Sequence, residues 1–281
     1  MELIEYSYFP GCSMVTTSME SNLSLMQACQ VLGLKLAELE DWNCCGSSSA
    51  AIVDPKLGFN LACRNLSLAS PERPLLVVCP RCLHQLRQAH LKLKENRQVR
   101  RAQERRWNRP ISPDLEIVHF LEPVVKLGSR KLRQHLARPL TGLKVAPYYG
   151  CTLFRPPALR KQWYYLGELE GILRLLGAET VSQGLMQRCC GSFLSVLRPT
   201  MVSELVNQII ASALASGADC LVTVCALCQL NLEMRTTLEP RLPIFHFSEI
   251  LALALGAADY EDWFSRHLVD PHPLLGRRGL I

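Results

Sequence analysis

Aliphatic and β-branched residues gather along this chain in short runs, set apart by longer stretches in which apolar and polar positions follow a helical period. The runs fall at residues 5–9, 36–39, 75–78 and 115–118, and again at 144–149, 179–181, 220–224 and 243–245. Helical stretches lie between them, among others at 18–32, 55–69 and 200–215. Short apolar runs alternating with helices predict strand–helix units on parallel sheets.

The pattern occurs twice. Leu32-Gly33 matches Leu176-Gly177, Leu75-Leu76-Val77-Val78-Cys79 matches Leu221-Val222-Thr223-Val224-Cys225, and His119-Phe120-Leu121-Glu122 matches His246-Phe247-Ser248-Glu249. The chain therefore reads as an internal duplication of two parallel-sheet α/β units flanked by helices. The break falls in Arg138-Pro139-Leu140-Thr141-Gly142, giving one unit at 1–140 and a second at 141–281.

Ten of the thirteen cysteines repeat with these units. Each copy has a lone cysteine after a strand, then Cys-Cys-Gly, then Cys-x-x-Cys. The first copy is Cys12, Cys44, Cys45, Cys79 and Cys82; the second is Cys151, Cys189, Cys190, Cys225 and Cys228. The intervening gaps are 31 and 33 residues in the first copy and 37 and 34 in the second. Each cysteine group follows the end of a different strand, so each unit is expected to gather five thiols at the ligand-binding edge of its sheet. Five thiolates exceed the four that saturate a tetrahedral zinc site. All-thiolate sets select zinc or iron–sulfur clusters, and Cys-x-x-Cys is a common iron–sulfur spacing. Spacing alone gives two metal sites and leaves their type open.

Composition narrows the setting. With 281 residues, 48% hydrophobic and 20% charged, the chain is globular and long enough for two cores. Its N-terminus lacks the features of a secretory signal, so a reducing cytoplasmic compartment is expected, where cysteines bind metals or catalyse more often than they form disulfides. The longest apolar run, 250–258, is too short to span a bilayer. No glycine-rich dinucleotide or phosphate loop follows a first strand, and no nucleic-acid-binding motif is present.

With the flanks Tyr8-Phe9-Pro10-Gly11-Cys12, Arg64-Asn65-Leu66, Tyr148-Tyr149-Gly150-Cys151 and the tail from His267 to Leu275, the chain resembles the B subunit of heterodisulfide reductase and its relatives built from paired CCG modules. The resemblance covers nearly the whole chain and includes bacterial heterodisulfide-reductase-like complexes of sulfur oxidation. It implies two [4Fe-4S] clusters of non-cubane type, one on each set of five cysteines. It also implies a ferredoxin-like C subunit with a flavin-bearing A subunit as partners, and a disulfide or thiol substrate.

Other residues read more plainly. Cys29, Cys63 and Cys220 lack repeat partners and are expected to pack as small apolar groups. His119 and His246, each followed by Glu three positions on, suit helix starts. His84 and His90 are expected to be solvated. Gly46 and Gly191 suit a sharp turn past the metal. Comparing the repeats places an insertion in the first unit at 92–109, where eight Lys or Arg oppose two Glu. A solvated face is the ordinary explanation, and docking of an acidic carrier or partner the functional one.

Three functions fit these residues. The first is a disulfide/thiol oxidoreductase component using paired one-electron centres. The second is an electron-transfer CCG component of a succinate, glycolate or lactate oxidoreductase, and the third a zinc-stabilised scaffold.

Overall fold

The computed structural model describes residues 4–154 and 165–281. Strands β1 (Ile4–Phe9), β2 (Leu34–Glu38), β3 (Leu75–Val77) and β4 (Ile117–His119) form one parallel sheet in the order β2-β1-β3-β4. Strands β5 (Lys144–Tyr148), β6 (Glu179–Thr180), β7 (Cys220–Thr223) and β8 (Ile244–His246) form a second in the order β6-β5-β7-β8. Every pairing is parallel, with Ser7 opposite Leu75 in the first sheet and Val145 opposite Cys220 in the second. Strands β3, β7 and β8 are buried along their whole length, as parallel strands covered on both faces should be.

The helices that matter here are α1 (Met19–Leu32), α2 (Pro55–Leu68), α3 (Pro80–Glu95), α4 (Arg97–Trp107), α5 (Leu121–His135), α6 (Glu168–Leu175), α7 (Pro199–Ala215), α8 (Ala226–Arg235) and α9 (Phe247–Ala254). Their ends follow local chemistry. The Asp54 side chain accepts from the Lys56 amide, with Pro55 in the first turn of α2. Pro80 starts α3 in the same way. At His246 the side chain and Glu249 cap the start of α9 reciprocally, and the Glu122 carboxylate accepts from the His119 amide at 2.8 Å. The paired histidines thus act at helix starts.

One apolar core spans both units, and a second lies within the second unit. Helix α1 lies on α9, where the Ser24 and Ser248 hydroxyls meet at 2.8 Å and Ser248 donates to the Ser21 carbonyl at 2.9 Å. The repeat-equivalent Phe120 and Phe247 face each other with ring centroids 5.8 Å apart. Equivalent residues therefore meet across a pseudo-twofold relation between the units. Cys29, Cys63 and Cys220 are buried, and burial pushes the thiols of Cys29 and Cys63 up to about 12. His90 departs from expectation: it is buried, with Nε2 3.0 Å from the Ser112 carbonyl, because the loop after α4 folds over it.

The insertion at 92–109 is ordered as the last turn of α3 and helix α4. The Asn96 side chain accepts from the Val99 amide at its start, and Asn108 ends it at φ 49°. Gln103 is buried and donates to Asn60 on α2 at 2.8 Å, while Arg97, Arg101, Arg105 and Arg106 are exposed. Arg100 is half-buried, bonds the Leu93 carbonyl and lies 3.9 Å from Glu104. It belongs to the helix's own support and not to its cationic face.

Candidate metal centres

In each sheet the strand order changes direction at the central strand, the position at which parallel α/β folds open a crevice. Cys12 follows β1, Cys44 and Cys45 follow β2, and Cys79 follows β3, so three neighbouring strands deliver their cysteines to one edge. Cys151, the Cys189–Cys190 pair and Cys225 follow β5, β6 and β7 in the same way. Cys82 and Cys228 then come from the first turns of α3 and α8.

Within each unit, cysteines of different strands lie near one another. In the first unit Cys12 Sγ lies 3.8 Å from Cys44 Sγ, and the thiols of Cys44, Cys45, Cys82 and Cys79 perturb one another in turn. In the second, Cys190 Sγ lies 3.4 Å from Cys228 Sγ; Cys228 and Cys225 perturb each other's thiols, as do Cys151 and Cys189. Cys79 also contacts Cys225, so the two sets touch across the pseudo-twofold relation. Cys12 is exposed, Cys44, Cys151 and Cys189 are half-buried, and the remaining six are buried.

Shared protons polarise this file of thiols. A hydrogen bond from Cys12, aided by one from Cys45, lowers the Cys44 thiol to about 2, while the same bond raises Cys12. Cys228 lowers Cys190 to about 7, and Cys225 with Cys82 holds Cys79 well below its ordinary value. Such a set is ready to exchange protons for cations.

Among the described residues, no group of three His, Cys, Asp or Glu is set to grip a single metal ion. Each unit nevertheless offers five sulfurs from one sheet edge. That arrangement suits a polynuclear centre, in which different metals take different sulfurs, and the donor chemistry is that of iron–sulfur clusters.

The backbone makes room for the sulfurs. Gly11 and Gly150 precede the lone cysteines at φ 74° and 68°, and a Cβ there would approach Cys82 Sγ at 3.1 Å and Cys228 Sγ at 3.3 Å. Gly46 and Gly191 also have positive φ, yet their missing Cβ atoms would meet Gly58 on α2 and Val202 and Leu205 on α7. They allow close helix packing after the cysteine pairs.

Supporting residues beside the cysteines fix the loops. Asn65 accepts from the Asn43 amide at 3.0 Å and donates to its carbonyl at 2.9 Å, and Arg64 bonds Asn43 and the Asp41 carbonyl. In the second unit Asn231 donates to the Cys190 carbonyl at 2.8 Å and Tyr148 to the Arg188 carbonyl at 2.5 Å. His119 Nε2 lies 2.8 Å from the carbonyl of Val78, the residue before Cys79. Burial holds that imidazole down at about 4, so it is neutral near pH 7.

Two adjoining cavities open at the second set. One of about 40 Å³ is lined by Cys151, Cys189, Cys190, Cys225 and Cys228 together with Pro80 and Arg81 of the first unit. The other, of about 270 Å³, is lined by Ser47, Arg81, His84, Gln85, Gln88, Cys151 and Thr152. His84 is thus half-buried at a cleft between the units, where burial and the Arg81 charge hold it below its ordinary value. Large apolar side chains stand exposed just beyond each cysteine pair: Ile52 and Val53 in the first unit, Phe193, Val196 and Leu197 in the second.

The family profile described as CCG, cysteine-rich domain, matches residues 6–87 and 145–233. The chain is 31% identical over 280 residues to the 8-methylmenaquinol:fumarate reductase membrane anchor subunit of Wolinella succinogenes, covering 95% of this chain and 97% of that one. It is 26% identical over 275 residues to the B subunit of the ferredoxin/F(420)H(2)-dependent CoB-CoM heterodisulfide reductase of Methanosarcina acetivorans, covering 90% of each. A solved structure of a hypothetical protein from Helicobacter pylori superposes with a TM-score of 0.71 at 13% identity; the match takes in 96% of this chain and about half (53%) of that one. Duplicated profile matches, paired parallel sheets and repeated five-cysteine sets agree, and the chain belongs to the CCG cysteine-rich family that includes the B subunits of heterodisulfide reductases.

Proposed function

We propose that the chain is the catalytic B subunit of a heterodisulfide-reductase-like complex, interconverting a disulfide and two thiols. The observation that carries this reading is that Pro80 and Arg81, inside the first unit's Cys-x-x-Cys, line one cavity with all five cysteines of the second unit, so that the two sets adjoin beside a cleft built by both units. Each unit, 1–140 and 141–281, holds one non-cubane [4Fe-4S] cluster on its five cysteines. When bound, the clusters supply two adjacent one-electron centres for a reaction that needs two electrons. Reduction breaks one S–S bond, consumes two electrons and two protons, and yields two thiols. The electrons come from a ferredoxin-like partner and ultimately from a flavin-bearing one. The protein's own part is to hold the sulfur end of the substrate against Cys151 and its far end among Arg81, Gln85 and Thr152. No helix among the described residues is long and apolar enough to cross a membrane, and we place the complex in the cytoplasm.

A second reading rests on a different observation. The exposed apolar residues beyond each cysteine pair, with the 31% identity to a component of a menaquinol:fumarate reductase, favour a relay between a quinone and a flavoprotein, with no sulfur substrate. Iron and acid-labile sulfide analysis of anaerobically purified protein, with electron paramagnetic resonance of the oxidised protein with and without thiols, separates the readings. About eight irons per chain, two four-iron clusters, with a thiol-dependent signal supports disulfide chemistry. The same iron content without thiol sensitivity supports the relay. Zinc in place of iron overturns both. Full iron retention in Cys45→Ser or Cys190→Ser would remove that residue from its ligand set.

A further inference from the structure

Two imidazoles lie buried where the units meet, and they differ in one bond. His119 ends β4 and His246 ends β8; the parallel register sets them opposite Val77 and Thr223, two residues before Cys79 and Cys225. Each is 1% exposed, and His119 perturbs His246 across the seam. Nδ1 has the same task in both rings. In His119 it accepts the Leu121 amide at 3.2 Å; in His246 the Ser248 amide reaches it at 3.3 Å and the Ser248 hydroxyl at 2.7 Å. A ring nitrogen that accepts an amide carries no proton, so the one N–H of each imidazole is at Nε2. In His119 that group donates to the Val78 carbonyl at 2.8 Å. In His246 it is shut off from solvent and, among the described residues, has no hydrogen-bond partner. A buried N–H without an acceptor is costly and rare. Two groups that could accept perturb the His246 ring: the Val224 carbonyl, which stands outside hydrogen-bonding geometry, and Cys79 of the first unit. Metal binding takes the proton from Cys79 and leaves a sulfur that can only accept.

We propose that His246, reaching across the seam, donates its Nε2–H to the metal-bearing sulfur of Cys79 and so makes the first unit's cluster the easier of the two to reduce. A hydrogen bond to a cluster sulfur favours the more negative, reduced form. His119 has spent its N–H on a carbonyl and cannot do the same for Cys225. Two copies of one module would thus differ in potential, and the first of two electrons would settle on a defined side of the seam. The proposal rests on the two-cluster assignment, which both readings above share.

The test is a mediated redox titration of the anaerobic, iron-loaded full chain with dithionite, followed by electron paramagnetic resonance. His246→Asn keeps a side-chain oxygen where Nδ1 receives the amide, and so preserves the helix cap, but places nothing at Nε2. It should shift the reduction equilibrium of one cluster about tenfold toward the oxidised form, about 59 mV for a one-electron couple, and leave the other unmoved. His246→Gln returns an N–H to the Nε2 position without the cap; it should keep the native potential and melt earlier. In a Cys225→Ser, Cys228→Ser background, where only the first five-cysteine set is complete, the surviving signal should still move with His246→Asn. An equal drop with Gln would trace the shift to packing and overturn the bond. Iron present with both potentials unmoved in His246→Asn, or a shift confined to the second unit's cluster, would overturn the proposal and leave the cluster assignment standing. Zinc in place of iron would end both.

Discussion

Asn65 turns both ends of its side-chain amide onto the backbone of Asn43, one residue before the cysteine pair. Asn65→Ala leaves those backbone groups without partners and should cost about 1–3 kcal/mol in urea unfolding. Iron retention should fall with it, whereas a merely structural role would leave the metal in place. His267 makes a sharper case. It is buried between Glu233 and Glu249, 2.8 Å from each, in a place where the first unit has Arg87 pairing directly with Glu122. Burial opposes its charge, but Glu249 and bonds to both carboxylates raise it to about 11 from an ordinary 6.5. Its folded pKa is the higher one, so its contribution is complete below pH 6.5 and is lost as pH rises through 11. The native chain's stability to heat should therefore fall steadily as pH rises between these limits. His267→Ala should remove that alkaline slope and cost about 3–5 kcal/mol near neutrality, since it strands two buried carboxylates. The cysteines were legible in the sequence because two copies at near-equal intervals announce themselves. Asn65 and His267 stood out only as parts of the family's flanking stretches and Asn231 not at all; their roles were not legible, because each acts on a partner many residues away and no spacing rule links them.

At the scale of elements, the eight strands lie where the short apolar runs predict them, shifted by one or two residues at their ends. β2 starts at Leu34 instead of 36, because parallel pairing with Ile4 extends it. The helices at 18–32, 55–69 and 200–215 are likewise present, as Met19–Leu32, Pro55–Leu68 and Pro199–Ala215. Local periodicity and punctuation suffice for such elements. The inserted segment was less legible, since a charge run fits a loop as well as a helix; its order comes from Gln103, bonded to Asn60, and from Trp107, which donates back to Gln103. Arg97, Arg101 and Arg105 stand four residues apart on its exposed side. Replacing those three with Ser should leave the melting temperature nearly unchanged, while slowing association with an acidic partner in stopped-flow mixing at low salt. The difference should fade as salt rises. Unchanged rates at low salt would return this helix to the role of a solvated face.

For the whole molecule, the meeting of equivalent residues decides behaviour. Phe120 against Phe247 and α1 against α9 join the units through the larger, shared core, so unfolding should be a single transition in which both sheets are lost together. Phe120→Ala should cost about 3–5 kcal/mol in that transition, and a separate early step confined to one sheet would show that the units unfold independently. The duplication was readable from the sequence; that its halves close onto each other through Cys79 and Cys225 was not, because either copy alone is an ordinary α/β unit. That closure also bears on biosynthesis. A ribosome has released all five cysteines of the first unit long before α9 emerges, yet until then the α1 face bearing Ser21 and Ser24 has nothing to lie on. The nascent first half should be a client of chaperones, with iron insertion delayed until translation nears its end. Residues 1–140 made alone should aggregate, and supplying 141–281 in the same cell should rescue them.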